Sequence, residues 1–291
     1  MVSTGTGFAK TILFGEHFVV QGTHAIGASL SIPLNVTLTP AEELSINIPT
    51  GQIVLDASRK ILDAFGLDGN YLIEIDTKIP SGAGMGWSAA YSVALSRAAA
   101  AAQGMELTWK RIAEYAYLGE EVFHGNPSGI DNTLSSRRGA ILFKKGEDPI
   151  PIELGVPLHI VIAHTGKMGI TKDLVAGVAQ IRAERPDFFL ELMKREERLV
   201  VEAKKCLETA NLERLGELMD TNHGYLKQVG VSTLELEDVV SIAKENGALG
   251  AKITGAGGGG CAIALAESKK ETETLMQALS SKYLVFEAQI G

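Results

Sequence analysis

The stretch from Tyr71 to Ala102 constrains this chain most. Tyr71–Thr77 alternates apolar and polar residues, as a half-buried strand does. Pro80-Ser81-Gly82-Ala83-Gly84-Met85-Gly86 follows, and then a largely apolar segment, Ser88–Ala102, ending in five alanines. Alanine is the best helix former, so the expected unit is strand, glycine turn, helix. Three glycines at alternate positions let the backbone turn tightly and approach a ligand closely. The free N–H groups and dipole at the helix start favour an anion such as phosphate. Gly82, Ala83, Gly84, Met85, Gly86, Trp87 and Ser88 are therefore candidate phosphate-binding positions, and the Ser88 hydroxyl is a candidate oxygen ligand for Mg²⁺. No Gly-Lys-Ser/Thr closes the loop, which excludes a Walker sequence, and the glycine spacing excludes a Rossmann fingerprint.

The other periodic segments fill a chain of 291 residues, enough for two domains. Strands are expected at Ile12–Phe14, Phe18–Val20, Ile32–Thr39, Leu44–Ile48 and Ala140–Phe143, and helices at Ser58–Phe65 and Trp109–Phe123. The charged, proline-containing stretch Lys144–Pro157 is the expected boundary, giving domains 1–150 and 151–291. Beyond it, strands are expected at Leu158–His164, Gly250–Ile253, Cys261–Leu265 and Tyr283–Ala288, with helices between. Charges opposite the apolar stripes of Phe188–Thr209 and Leu212–Leu226 are expected to be solvated. A net charge of −8 argues against a general nucleic-acid binder. No segment reads as a signal peptide or a membrane span, and two distant cysteines fit a reducing compartment, so a cytoplasmic location is expected.

Three further segments carry chemistry. In Glu120 to Asn132, the run Gly125-Asn126-Pro127-Ser128-Gly129 is turn chemistry that presents Asp131. Asp131 would serve as a general base toward a hydroxyl or simply close an Asx-turn, and Glu120 would be a Mg²⁺ ligand or a surface charge. Lys252 to Cys261 holds five glycines within 255–260, which implies close backbone approach or a flexible hairpin. Gly7 to Gly22 places Lys10, Glu16 and His17 in apolar surroundings, where polar groups are paired or functional.

Taken in order, these four segments resemble the galactokinase–homoserine kinase–mevalonate kinase–phosphomevalonate kinase (GHMP) superfamily, and most closely the mevalonate kinases. The resemblance runs from Lys10 to Gly260 through Leu13-Phe14-Gly15-Glu16-His17, His124–Asn132, Thr171 with Leu174–Val178, and Thr254–Gly260. It implies an α+β, two-domain small-molecule kinase fold with the active site in the cleft between domains. It also implies ATP as co-substrate, Mg²⁺, and mevalonate as phosphoryl acceptor. By the same resemblance Asp131 and Lys10 are catalytic, Ser88 and Glu120 hold the metal, and Glu16, His17 and Thr165 lie on the substrate side. The chain departs from the mevalonate kinase pattern at Phe8-Ala9, Trp87 and Arg137-Arg138. Another superfamily kinase, such as a phosphomevalonate kinase, or a non-catalytic sensor on the same fold is the alternative. A homodimer is compatible with the sequence.

Overall fold

The computed structural model describes residues 2–68, 70–125, 127–167 and 171–291; the side chains of Thr171 and Lys172 also lie outside the described set. In chain order the elements are β1 (Ser3–Phe14), a 3₁₀ turn (Val19–Gln21), β2 (Ala25–Pro40), β3 (Ser45–Ile46), α1 (Gln52–Ala64), β4 (Tyr71–Thr77) and α2 (Trp87–Ala102). Then come α3 (Trp109–His124), α4 (Ile130–Ser136), β5 (Ala140–Phe143), β6 (Ile150–Ile152), β7 (Leu158–His164) and α5 (Thr171–Glu184). The last elements are α6 (Pro186–Thr209), α7 (Leu212–Gln228), α8 (Leu234–Glu245), β8 (Gly250–Thr254), β9 (Cys261–Ala266), α9 (Lys269–Ser280) and β10 (Leu284–Ile290). No helix of the described residues is long and apolar enough to cross a membrane.

Two compact units share the chain. The first comprises residues 1–10, 29–81 and 85–138; the second comprises 11–28, 82–84 and 139–291. The last long stretch of the second unit thus begins near the expected boundary, but 11–28 and 82–84 also belong to it.

In the first unit β4 pairs antiparallel with β2, from Leu34↔Thr77 to Pro40↔Tyr71, and β3 pairs parallel with β4. Gly5, Gly7 and Ala9 are the buried face of β1. This face packs on α2 so closely that a Cβ on Gly5 would lie 2.1 Å from the Ala94 carbonyl oxygen, and one on Gly7 2.0 Å from that of Ala90. Only glycine permits such an approach. The alanines of α2 are correspondingly buried, and the helix is covered by α1 and α3.

In the second unit a four-stranded antiparallel sheet runs β10-β7-β9-β8, with β7 centred on the buried residues Ile160–Ala163. Its core gathers Phe189 and Leu192 of α6, Leu226 of α7, Leu236 and Val239 of α8, and Leu275 of α9. Phe18 joins this core, its ring 5.7 Å from that of Phe189.

The expected strand at Phe18–Val20 is instead the 3₁₀ turn, because Gly22 closes it with a left-handed φ of 99°. Not expected were the stretch of β1 before Ile12, where glycine and threonine give no apolar alternation, the stretch of β2 before Ile32, and β6, which lies within the expected boundary Lys144–Pro157. Nor was α4, which begins after Gly129 with a φ of 82°.

Candidate active site

The first unit gathers Lys10, Asp131, Ser88 and Glu120. Lys10 lies near the end of β1, and its backbone N–H donates to the Met85 carbonyl at 2.9 Å. Its side chain passes Gly86, where a Cβ would meet Lys10 Cγ at 2.6 Å. Gly86 also holds a φ of 77° as the cap of α2, so both space and backbone require glycine. Beyond it Lys10 Nζ pairs with Asp131 Oδ1 at 3.0 Å. Asp131 sits in the first turn of α4, which is tied to α3 by Asn132 Nδ2 donating to the Ala113 carbonyl at 2.7 Å. The strand that carries the lysine and the short helix that carries the aspartate are thus each fixed by a hydrogen bond to a backbone carbonyl.

The glycine turn has positive φ at Gly82, Gly84 and Gly86. Among the described residues a Cβ on Gly84 would meet nothing within 4 Å, so the loop is open there. Among the described residues no side chain caps α2, which leaves its first N–H groups for an anion. Ala83 and Met85 are buried and anchor the loop, and the Ala83 carbonyl accepts from Cys261 Sγ at 3.1 Å. Trp87 stacks on Tyr91 at 5.3 Å and meets Phe123 edge-on at 6.5 Å, so its ring is engaged with its own unit.

Glu120, near the end of α3, is 1% exposed, so the surface-charge alternative does not hold. Among the described residues neither of its carboxylate oxygens has a hydrogen-bond partner. Burial, and then the charge of Asp131, push its carboxyl up to about 7, opposed in part by the nearby Ser88 hydroxyl and Lys10. The Ser88 hydroxyl itself is turned to His124 Nε2 at 3.1 Å, and that nitrogen lies 3.8 Å from Glu120 Oε2. His124 is therefore a site residue that sequence reasoning did not single out. Its i, i+4 spacing from Glu120 was the available signal.

A buried carboxylate without donors beside a hydroxyl fits a hard cation that takes oxygen ligands. Among the described residues no three His, Cys, Asp or Glu converge to hold a metal alone. Mg²⁺ commonly takes one or two protein oxygens and completes its shell with phosphate and water.

In the second unit Glu16 and His17 part company. Glu16 is 3% exposed, and its carboxylate pairs with the fully buried Lys252. The structure therefore does not present Glu16 as a direct substrate contact; its carboxylate serves the interior. His17 holds a φ of 63° and pairs through Nε2 with the Ala256 carbonyl at 2.8 Å. A carbonyl only accepts, so Nε2 carries the proton, and in the neutral ring Nδ1 remains an acceptor. Burial lowers the His17 pKa, which favours that neutral ring. The Thr165 hydroxyl donates to the Gly260 carbonyl at 3.1 Å, so it braces the second glycine loop.

What approaches that loop is the chain itself. A Cβ on Gly257 would lie 2.2 Å from the Val231 carbonyl oxygen, and one on Gly259 2.8 Å from that of Lys167. Arg137 and Arg138 lie over the rings of Trp109 and Phe8, at 5.4 and 5.3 Å from the ring centroids. Asn126 and the Thr171 side chain, parts of the matched segments, lie outside the described residues.

Fold and site together have the character of a small-molecule kinase: a glycine turn at a helix start with no side-chain cap, a lysine–aspartate pair, and a buried carboxylate beside a hydroxyl. Family models agree. Residues 52–139 match the GHMP kinases N terminal domain and residues 203–284 match GHMP kinases C terminal. The mevalonate kinase of Thermococcus gammatolerans is 37% identical, over 90% of this chain and 88% of its own. That of Aeropyrum pernix is 31% identical, over 97% and 94%. The crystal structure of L. major mevalonate kinase in complex with R-mevalonate superposes with a TM-score of 0.92 at 32% identity, covering 99% of this chain and 95% of that one. The Methanococcus jannaschii mevalonate kinase gives a TM-score of 0.85 at 27% identity, covering 100% and 98%. The chain belongs to the GHMP kinases, and within them to the mevalonate kinase family.

Proposed function

We propose that this protein transfers the γ-phosphoryl group of ATP to the primary 5-hydroxyl of mevalonate. The observation that carries the reading is the Lys10–Asp131 pair, 3.0 Å apart, with the lysine threaded past Gly86 at the start of α2. An alcohol is a weak nucleophile at neutral pH. Asp131 accepts its proton as the new O–P bond forms and the bond to the ADP oxygen breaks. Lys10 holds the Asp131 carboxylate in place and offers positive charge where the alkoxide and the phosphoryl oxygens develop theirs. The uncapped N–H groups of α2 and the loop Gly82–Ser88 receive the ATP phosphates.

The Ser88 hydroxyl and the Glu120 carboxylate would hold Mg²⁺. When bound, it would neutralise phosphate charge. His17, neutral with Nδ1 free to accept, binds a hydroxyl of mevalonate on the substrate side. Cys206 and Cys261 are both unpaired and buried, which supports a reducing compartment, and the cytoplasm is the proposed location.

The test is ATP turnover with a panel of alcohols: mevalonate, phosphomevalonate, galactose and homoserine. Mevalonate should be the fastest by kcat/KM, and turnover should stop in chelator. Faster turnover of another member of the panel would overturn the substrate.

A further inference from the structure

Helix α6 carries a carboxylate that the proposed chemistry does not use. Glu196 is completely buried. Its Oε1 accepts the Gly15 backbone N–H at 2.9 Å and Asn222 Nδ2, from α7, at 2.8 Å. On the far side of the same turn, Lys252 of β8 pairs with Glu16 and donates to the Ile253 carbonyl at 2.6 Å. The turn between these anchors is unusual. Gly15 has a φ of 94° and His17 one of 63°, a left-handed conformation that residues with a Cβ rarely adopt. Such a backbone persists only where its surroundings over-determine it.

Helix α6 grips this segment at two further points. The Phe189 ring packs on Phe18, and the Glu197 carboxylate receives the His24 N–H at 2.9 Å and pairs with its Nδ1 at 2.6 Å. Positions 189, 196 and 197 are seven and eight residues apart and so share one helix face. A buried carboxylate costs free energy that an apolar side chain would not, so packing alone does not account for Glu196. Burial, and then the charge of Glu16, raise its pKa to about 7, against the donors from Asn222 and Gly15.

We infer that Glu196 is a positioning residue for His17: by holding the Gly15 N–H beside the Lys252–Glu16 pair, it fixes the left-handed turn that aims the imidazole at the substrate. The inference rests on the mevalonate reading and on His17 facing the acceptor. What matters is the reach of Glu196 Oε1, since the neutral amide of glutamine offers the same acceptor at the same distance. Aspartate keeps the charge but ends one methylene short of Gly15.

The test compares Glu196→Asp with Glu196→Gln in the full-length protein. Glu196→Asp should raise the KM for mevalonate about tenfold or more, with the KM for ATP within about twofold of wild type. Glu196→Gln should restore the mevalonate KM to within about threefold. A second readout needs no substrate. In the ¹⁵N spectrum of the histidine rings, His17 should be a pure Nε2–H tautomer in wild type and Glu196→Gln, and a mixture in Glu196→Asp. A wild type that ignores mevalonate would fail the substrate reading while the tautomer readout still decides the role of Glu196. An unchanged tautomer together with unchanged KM values in Glu196→Asp overturns the inference. So does a parallel rise in both KM values with a lowered melting temperature in both variants, which is the mark of a structural residue alone. If Glu196→Asp does not accumulate as folded protein, Asn222→Ser, which releases Glu196 from its second donor, carries the same two expectations.

Discussion

The unpartnered Glu120 carboxylate makes a prediction about stability that does not depend on catalysis. Its carboxyl moves from an ordinary 4.5 to about 7 because burial, and secondly Asp131, disfavour the charge. A raised carboxyl pKa means that the folded state binds the proton more tightly than the unfolded state between these two values. The fold is therefore unpenalised below pH 4.5, loses stability as the pH climbs to about 7, and carries the full penalty above it. At roughly 1.4 kcal/mol per pH unit the penalty is about 3 kcal/mol. Glu120→Gln removes it, and the cost of burying the amide is the same at every pH. The difference in melting temperature, variant minus wild type, should thus rise between pH 5 and pH 8 in chelator. At about 2–4 °C per kcal/mol for a chain of this size, the rise is roughly 6–12 °C. MgATP should reverse the order above pH 7, because the wild-type carboxylate then has its cation. Thermal melts at four or five pH values, with EDTA or with MgATP, measure this. A variant–wild-type difference that stays flat with pH would refute the reasoning, since it would mean that Glu120 is paired or hydrated in solution.

Asp131→Asn should lower kcat by roughly 10²–10⁴-fold with little change in nucleotide affinity, because positioning and phosphate-charge stabilisation remain; steady-state kinetics and nucleotide titration check it. Gly86→Ala places a Cβ 2.6 Å from Lys10 Cγ at a φ of 77°. It should cost about 1–3 kcal/mol of stability and depress kcat as Lys10→Met does, which melts and kinetics test together. Trp87→Ser removes a ring stacked on Tyr91 and should destabilise the protein by about 2–3 kcal/mol. It should leave the ATP KM within about threefold, and a larger change would place the indole against the nucleotide.

The strands Tyr71–Thr77, Ala140–Phe143 and Leu158–His164 were legible because their apolar patterns largely follow strand burial, with Leu72 and Leu142 only partly buried. The glycine turn and the start of α2 were legible for a different reason: left-handed backbone at alternate positions demands glycine, and glycine is visible in sequence. The first part of β1 was hidden because Gly5 and Gly7 serve contact with α2, and a strand built for closeness has no apolar period. Lys10 and Asp131 are far apart in sequence, so their pairing is a tertiary fact that residue patterns alone do not contain. Glu196 was hidden most completely. On a helix whose carboxylates mostly face solvent, nothing local distinguishes the one that is fully buried, and its donors come from Gly15 and Asn222, distant in the chain.

The two buried glutamates, both raised to about 7, show that burial and pKa alone do not assign a role. Glu196 has two donors on one oxygen, with Lys252 partly offsetting the opposing charge of Glu16, while its other oxygen has no hydrogen-bond partner among the described residues. A group held by donors of its own chain can fix a backbone, and removing it should disturb geometry. Glu120 has no donor on either oxygen among the described residues, and its close neighbours are a hydroxyl and a histidine nitrogen already turned toward each other. A carboxylate left in that condition is stable only when something outside the chain completes it. The difference predicts opposite responses to ligand. MgATP should stabilise the wild type much more than Glu120→Gln, while the same addition should shift the wild type and Glu196→Gln by nearly equal amounts. Equal gains in all three proteins would mean that Glu120 holds no metal, and a gain lost in Glu196→Gln would tie the α6 network to the nucleotide instead of to the acceptor.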